Sequence, residues 1–190
     1  MSRTKKPRAA EPRVFLEAPS RKRESEFLER VHASQKLHRP WLEAPRSAEA
    51  FRALVARSRE ERHASFFVCA AETSELAGVI NLNEIVRGLF QSAYLGYYAF
   101  EPFSGSGYMS EGLGLVLDQA FGELRLHRLE ANVQPGNRRS VRLVSGLGFR
   151  LEGLSPRYLK IAGCWRDHER WAILAEDWPK PRARRKARAG

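Results

Sequence analysis

The sequence has only two cysteines, Cys69 and Cys164, far apart and without histidine or cysteine neighbours at metal-ligand spacing. This excludes a disulfide-framed secreted domain and a thiolate metal centre, and leaves both residues as reduced core fillers. Long apolar runs are also missing. The longest fall far short of a bilayer-spanning helix, and the basic N-terminus lacks the apolar stretch of a secretory signal. These absences predict a cytoplasmic protein without membrane contact. No lysine follows Gly107, so a nucleotide-hydrolase loop is excluded. The pair Gly105 and Gly107 also has neither the third glycine nor the early strand of a dinucleotide fingerprint. No internal repeat is visible.

What is present is a chain of 190 residues, 43% hydrophobic and 29% charged, which suits one α/β domain with tails. Its net charge of +11 is unevenly placed. Residues 1–13 hold five cations against Glu11, and residues 179–190 hold six cations and no acid, so the body is close to neutral. Both ends are rich in proline and alanine and are predicted to be disordered. We therefore expect a domain at 14–178 between two basic tails, 1–13 and 179–190. The tails could contact rRNA or a ribosome without sequence readout, or simply aid solubility.

Taken in order, the patterning predicts a strand at 14–16 and a helix at 23–32. A loop follows at 35–46 with an exposed Trp41, then a helix capped by Ser47. Strands at 65–70 and 76–82 form a hairpin, and residues 91–100 form the next strand. Small residues at 104–107 then lead into a helix whose apolar stripe is Met109, Leu113, Val116, Leu117, Ala120, Phe121 and Leu124. A strand at 127–133 precedes a helix capped by Asn137 and closed by Gly148. Strands at 149–154, 157–161 and 165–174 end the domain. The fold class is α/β (α+β), a mixed, mostly antiparallel central sheet with helices on both faces.

The stretch at 104–111 is the centre of this arrangement. A strand that turns through small residues into a helix leaves the first helical N–H groups unpaired, and the helix dipole adds positive charge there, which suits a phosphate or pyrophosphate. A glycine-rich connection without a ligand fits the same residues.

The ordered segments Tyr94-Leu95-Gly96-Tyr97, Gly105-Ser106-Gly107-Tyr108-Met109-Ser110-Glu111, His127-Arg128-Leu129-Glu130-Ala131-Asn132, Pro135-Gly136-Asn137-Arg138-Arg139-Ser140 and Trp165-Arg166-Asp167-His168 resemble the GCN5-related N-acetyltransferases (GNAT). Within that superfamily they are most similar to the RimJ/RimL-type enzymes, above all the ribosomal-protein-alanine branch. The resemblance covers residues 14 to about 178. It implies acetyl-CoA as donor and direct attack by an amine in a ternary complex, with the N-terminal alanine of a small-subunit ribosomal protein as the expected acceptor. Acetylation of a polyamine or antibiotic, or an assembly factor on the ribosome with little catalysis, are the other readings. A monomer or homodimer is expected.

Carried over by position, the backbone of Tyr98, Ala99 and Phe100 would hold the pantetheine arm. Ser104, Gly105, Ser106, Gly107, Tyr108 and Met109 would hold the pyrophosphate, and Asn137 and Ser140 would stand beside the arm and the sulfur. Ser104 departs from the Arg or Gln common there, removing a charge-assisted contact of about 1.5–3 kcal/mol. Ser140 is the candidate proton donor to the thiolate. Glu84, Glu130 and Tyr158 are the candidate acid–base groups. Arg157 stands where relatives often carry an acid, so no single base is chosen. His38, Trp41 and Glu84 are the candidate acceptor-binding residues. His168 after Asp167 is read as a hairpin fixture, and no metal is expected.

Overall fold

The computed structural model describes residues 12–179, so the basic stretches fall almost entirely outside the described residues. Seven strands form one sheet in the order β1-β2-β3-β4-β5-β7-β6. The strands are β1 (Val14–Glu17), β2 (Ala64–Ala70), β3 (Leu76–Val86), β4 (Ser92–Ala99), β5 (Arg128–Val133), β6 (Arg150–Ile161) and β7 (Cys164–Leu174). Neighbours are antiparallel except β4 and β5, which run parallel. The helices are α1 (Glu24–Ala33), α2 (Gln35–His38), α3 (Ala48–Arg57), α4 (Tyr108–Gly122) and α5 (Arg138–Gly146).

Each face of the sheet has its own core. On one, Phe27 of α1 and Phe51 of α3 pack at 4.7 Å between ring centroids, and Phe27 meets Phe100 edge-on at 5.6 Å. On the other, Leu113, Val116, Leu117 and Ala120 of α4 are fully buried against β1, β2 and β3. Burying each of these leucines contributes about 1.5–3 kcal/mol. Helices on both faces of a mixed, mostly antiparallel sheet match the expected fold class. The Ser47 hydroxyl accepts from the Ala50 N–H at 3.2 Å, and Gly148 takes φ 89°, so both predicted helix boundaries are present.

Four expectations are corrected. β3 continues to Val86, which puts Glu84 inside a strand rather than in the loop after it. A register shift between Asn83 and Val86, with Glu84 at φ 49°, breaks the apolar alternation that would have announced this. Residues 149–154 and 157–161 are not two strands but one, β6. It tolerates Pro156 because β6 is an edge strand and a register shift between Ser155 and Leu159 absorbs the break. The loop at 35–46 begins with the one-turn helix α2, too short to show periodicity, and Trp41 is half-buried rather than exposed. Cys69 fills the core, where burial pushes its thiol up to about 12, but Cys164 is exposed where the hairpin turn enters β7.

Candidate functional site

The parallel pairing of β4 with β5 starts at Ser92 and Arg128 and stops at Leu95 and Ala131. Beyond that point residues 96–99 and 132–133 continue as strand without pairing to each other, so the sheet opens into a gap. The turn into α4 lies at the end of β4. Its N-cap is Gly107 at φ 89°, and Gly105 is at φ 80°, a left-handed conformation that side chains rarely adopt. Gap and turn together form a cavity of about 990 Å³. Its walls are α2 with the loop after it, the end of β4, the glycine turn and the start of α5.

The structure brings many of the predicted residues together here. His38, Trp41, Tyr98, Ala99, Ser104, Gly105, Gly107, Met109, Asn137 and Ser140 all line the cavity. Asn137 caps α5, accepting from the Ser140 N–H at 3.2 Å, and the Ser140 hydroxyl stands 2.5 Å from that of Tyr97. His38 is buried, with Nε2 2.9 Å from the Ala99 carbonyl oxygen, and burial pushes its imidazole below the ordinary value. Trp41 lines the cavity where it meets the loop between β5 and α5. Its ring lies 3.2 Å from where a Cβ on Gly136 would stand, and its carbonyl accepts from Gln134 at 3.0 Å.

Other predicted residues lie elsewhere. Phe100 is fully buried, and its N–H donates to the Ala77 carbonyl at 2.8 Å, so that donor is not available to a ligand. Ser106 and Tyr108 flank the turn under Arg13, whose guanidinium donates to the Ser106 carbonyl at 3.2 Å and covers the Tyr108 ring at 5.2 Å. Arg13 is itself held by Glu111 in the first turn of α4. Glu84 is away from the cavity, paired with Arg62 at 2.5 Å. Glu130 is paired with Arg128 at 2.8 Å, and Arg128 also binds Glu152. Tyr158 lies beside Tyr94 and 6.3 Å from the ring of His168; its hydroxyl, with partial burial, pushes the Tyr94 phenol above its ordinary value. The buried His168 donates its Nδ1–H to the Arg166 carbonyl at 2.9 Å.

Two features escape the sequence. The first is a ring of cations: Lys36, Arg39, Arg138, Arg139 and Arg142 line the cavity, and none of them is ion-paired among the described residues. Such a ring suits a polyanion and offsets the missing cation at Ser104. The second is a strip of unsatisfied polar atoms. Asn81 Oδ1, Tyr98 Oη, Asn132 Oδ1 and Arg170 Nε are buried without a hydrogen-bond partner among the described residues. Strand register sets Asn81 opposite Gly96 and Asn132 opposite Arg170, and Tyr98 follows Gly96 by two residues, so all four atoms belong to one face of the sheet. Buried polar atoms of this kind are normally satisfied, so a strip of them marks a place for a polar ligand or water.

Comparisons with known proteins agree with this geometry. Residues 13–150 match the model of the acetyltransferase (GNAT) domain. The chain is 42% identical over 118 residues to a probable N-acetyltransferase, YjcK, of Bacillus subtilis (strain 168), covering 62% of this chain and 64% of that protein. It is 39% identical over 107 residues to the ribosomal protein uS5-alanine N-acetyltransferase of Escherichia coli (strain K12), covering 56% of this chain and 55% of that protein. The matched stretch therefore spans less than two thirds of either relative. Among solved structures, Mycobacterium smegmatis RimJ in complex with CoA-disulfide superposes with a TM-score of 0.81 at 29% identity, over 88% of this chain and 84% of that one. Spermidine N-acetyltransferase from Vibrio cholerae, with CoA and spermine, shares the fold at 23% identity and a TM-score of 0.74, over 87% of this chain and 97% of that one. The chain belongs to the acetyltransferase (GNAT) family, of RimJ/RimL type.

Proposed function

We propose that this protein is an acetyl-CoA-dependent N-acetyltransferase acting on the N-terminal α-amine of a protein, with the N-terminal alanine of a ribosomal protein as its acceptor. The observation that carries the reading is the continuity of the β4–β5 gap with the left-handed Gly105–Gly107 turn and its cation ring. The residues present fit the cofactor. The first N–H groups of α4, Gly105 without a Cβ, and the five cations would hold its phosphates. The backbone of Tyr98 and Ala99 at the unpaired end of β4 would flank its arm. Bound there, acetyl-CoA supplies an acyl carbon activated as a thioester.

The chain's own groups do the rest. Trp41 and His38 wall the cavity from the α2 side and exclude water. Ser140, fixed at the start of α5, offers its hydroxyl to the departing sulfur. Asn81 and Asn132 present carbonyl oxygens that accept hydrogen bonds from an incoming amine. Of the candidate bases, Glu130 alternates onto the same face of β5 as Asn132, whereas Glu84 is held by Arg62 away from the cavity and is set aside as the base. The identity of the relatives supports a protein acceptor: one named for uS5 alanine is 39% identical over the matched stretch. A panel of alanine-starting peptides and free polyamines, followed by thiol release, tests this. Turnover of polyamines alone would move the assignment to a small amine. Turnover of neither, with ribosome binding lost on deleting both basic stretches, would favour an assembly role.

A further inference from the structure

Tyr97 stands on β4 just past Leu95, where pairing to β5 has ended, and its hydroxyl reaches across that gap to Ser140 on α5 at 2.5 Å. Ser140 is fixed from two sides, its N–H by Asn137 Oδ1 at 3.2 Å and its Oγ by Tyr97. Both residues line the cavity. Among the described residues Ser140 is the hydrogen-bond partner of the Tyr97 hydroxyl, and the two hydroxyls leave one direction of donation to decide. A phenol is the more acidic O–H and an alcohol the better acceptor, so Tyr97 donates and Ser140 Oγ accepts. Burial pushes the Tyr97 phenol up to about 12, against a smaller lowering by Ser140, so the phenol keeps a proton it can donate throughout the neutral range.

With that acceptor site used, the Ser140 proton cannot point back to Tyr97 and turns into the cavity. We propose that Tyr97 is a positioning residue for the leaving group: it orients the Ser140 hydroxyl as a hydrogen-bond donor to the sulfur of coenzyme A. This rests on the acetyltransferase reading of the cavity. In the transfer step the amine lone pair forms the new C–N bond, the C–S bond breaks, and its electron pair stays on sulfur. Ser140 stabilises that thiolate, which finally takes up the proton released by the amine nitrogen.

The test uses the full-length protein with CoA and follows the ultraviolet absorbance of the bound thiolate through a pH series, for wild type, Y97F, S140A and the double variant. A donor to the thiolate lowers the bound thiol's pKa. We expect Y97F and S140A each to raise it, and Y97F to add nothing in the S140A background. With a free-amine acceptor that the wild type acetylates, Y97F should lower kcat about three- to tenfold, the size of one lost hydrogen bond, with KM for acetyl-CoA nearly unchanged. A bound thiol pKa unmoved in S140A or Y97F overturns the proposal, as does full additivity in the double variant. Loss of CoA affinity and thermal stability in Y97F, without a change in thiol pKa, assigns Tyr97 a structural role only. Wild-type protein that binds no CoA overturns the acetyltransferase reading itself.

Discussion

Gly112 of α4 lies so close to Val68 of β2 that a Cβ on Gly112 would stand 2.7 Å from both Val68 methyl carbons. Both residues are buried, so nothing there can move into solvent. α4 thus rests on the sheet at a fixed height, and that height sets where its N-terminus opens into the cavity. Gly112→Ala should cost about 1–3 kcal/mol through overpacking, read as a lower melting temperature. Val68→Ala added to it should recover part of the loss. A Gly112→Ala protein as stable as wild type would contradict the packing described.

Gly107→Val should abolish or weaken CoA binding by well over tenfold while leaving most of the fold intact. Gly107 is exposed at φ 89°, and a Cβ there would stand 2.8 Å from the Arg13 guanidinium, at the mouth of the proposed phosphate site. Calorimetry checks the affinity and circular dichroism the fold. Unchanged affinity would count against the turn as the phosphate cradle.

The cation ring makes a separate prediction. Arg138, Arg139 and Arg142 are exposed, so each should contribute modestly, about two- to fivefold in CoA affinity on change to Gln. The triple variant should also lose most of the salt dependence of binding, because screening acts on the charges it removes. A wild-type affinity that ignores salt would sink this assignment.

His38 should make stability fall on the acidic side. Burial holds its folded pKa below the ordinary value of 6.5. The unfolded chain therefore protonates first as pH drops through that value, and binds more protons than the folded one. Stability is full above it and declines below it, until the folded group protonates too. His38→Gln should flatten that slope, measured as urea midpoints between about pH 7.5 and about pH 5. An equal slope in both proteins would remove His38 as the cause.

Much of this site was legible because its signals are local. A glycine turn before an apolar stripe, an Asn before a helix and a Gly after one each announce themselves within a few residues, and the fold follows from their order. What was not legible depends on contacts between distant parts of the chain. Tyr97 and Ser140 meet only because β4 and β5 part, and Trp41 reaches Gly136 only once the sheet is formed. Lys36 and Arg39 come to line one cavity with Arg138 and Arg139 in the same way, although they lie about 100 residues apart in the sequence. Glu84 and Pro156 misled for the opposite reason: a register shift hid one strand's continuation, and an edge position excused a proline that normally breaks a strand.

The most direct measurement is intact-mass analysis of an alanine-starting ribosomal-protein peptide incubated with the purified protein and acetyl-CoA. The account predicts one added acetyl group, placed by fragmentation on the N-terminal nitrogen, with one free thiol released per transfer. A peptide of unchanged mass, with a protein that calorimetry shows to be indifferent to CoA, would contradict it.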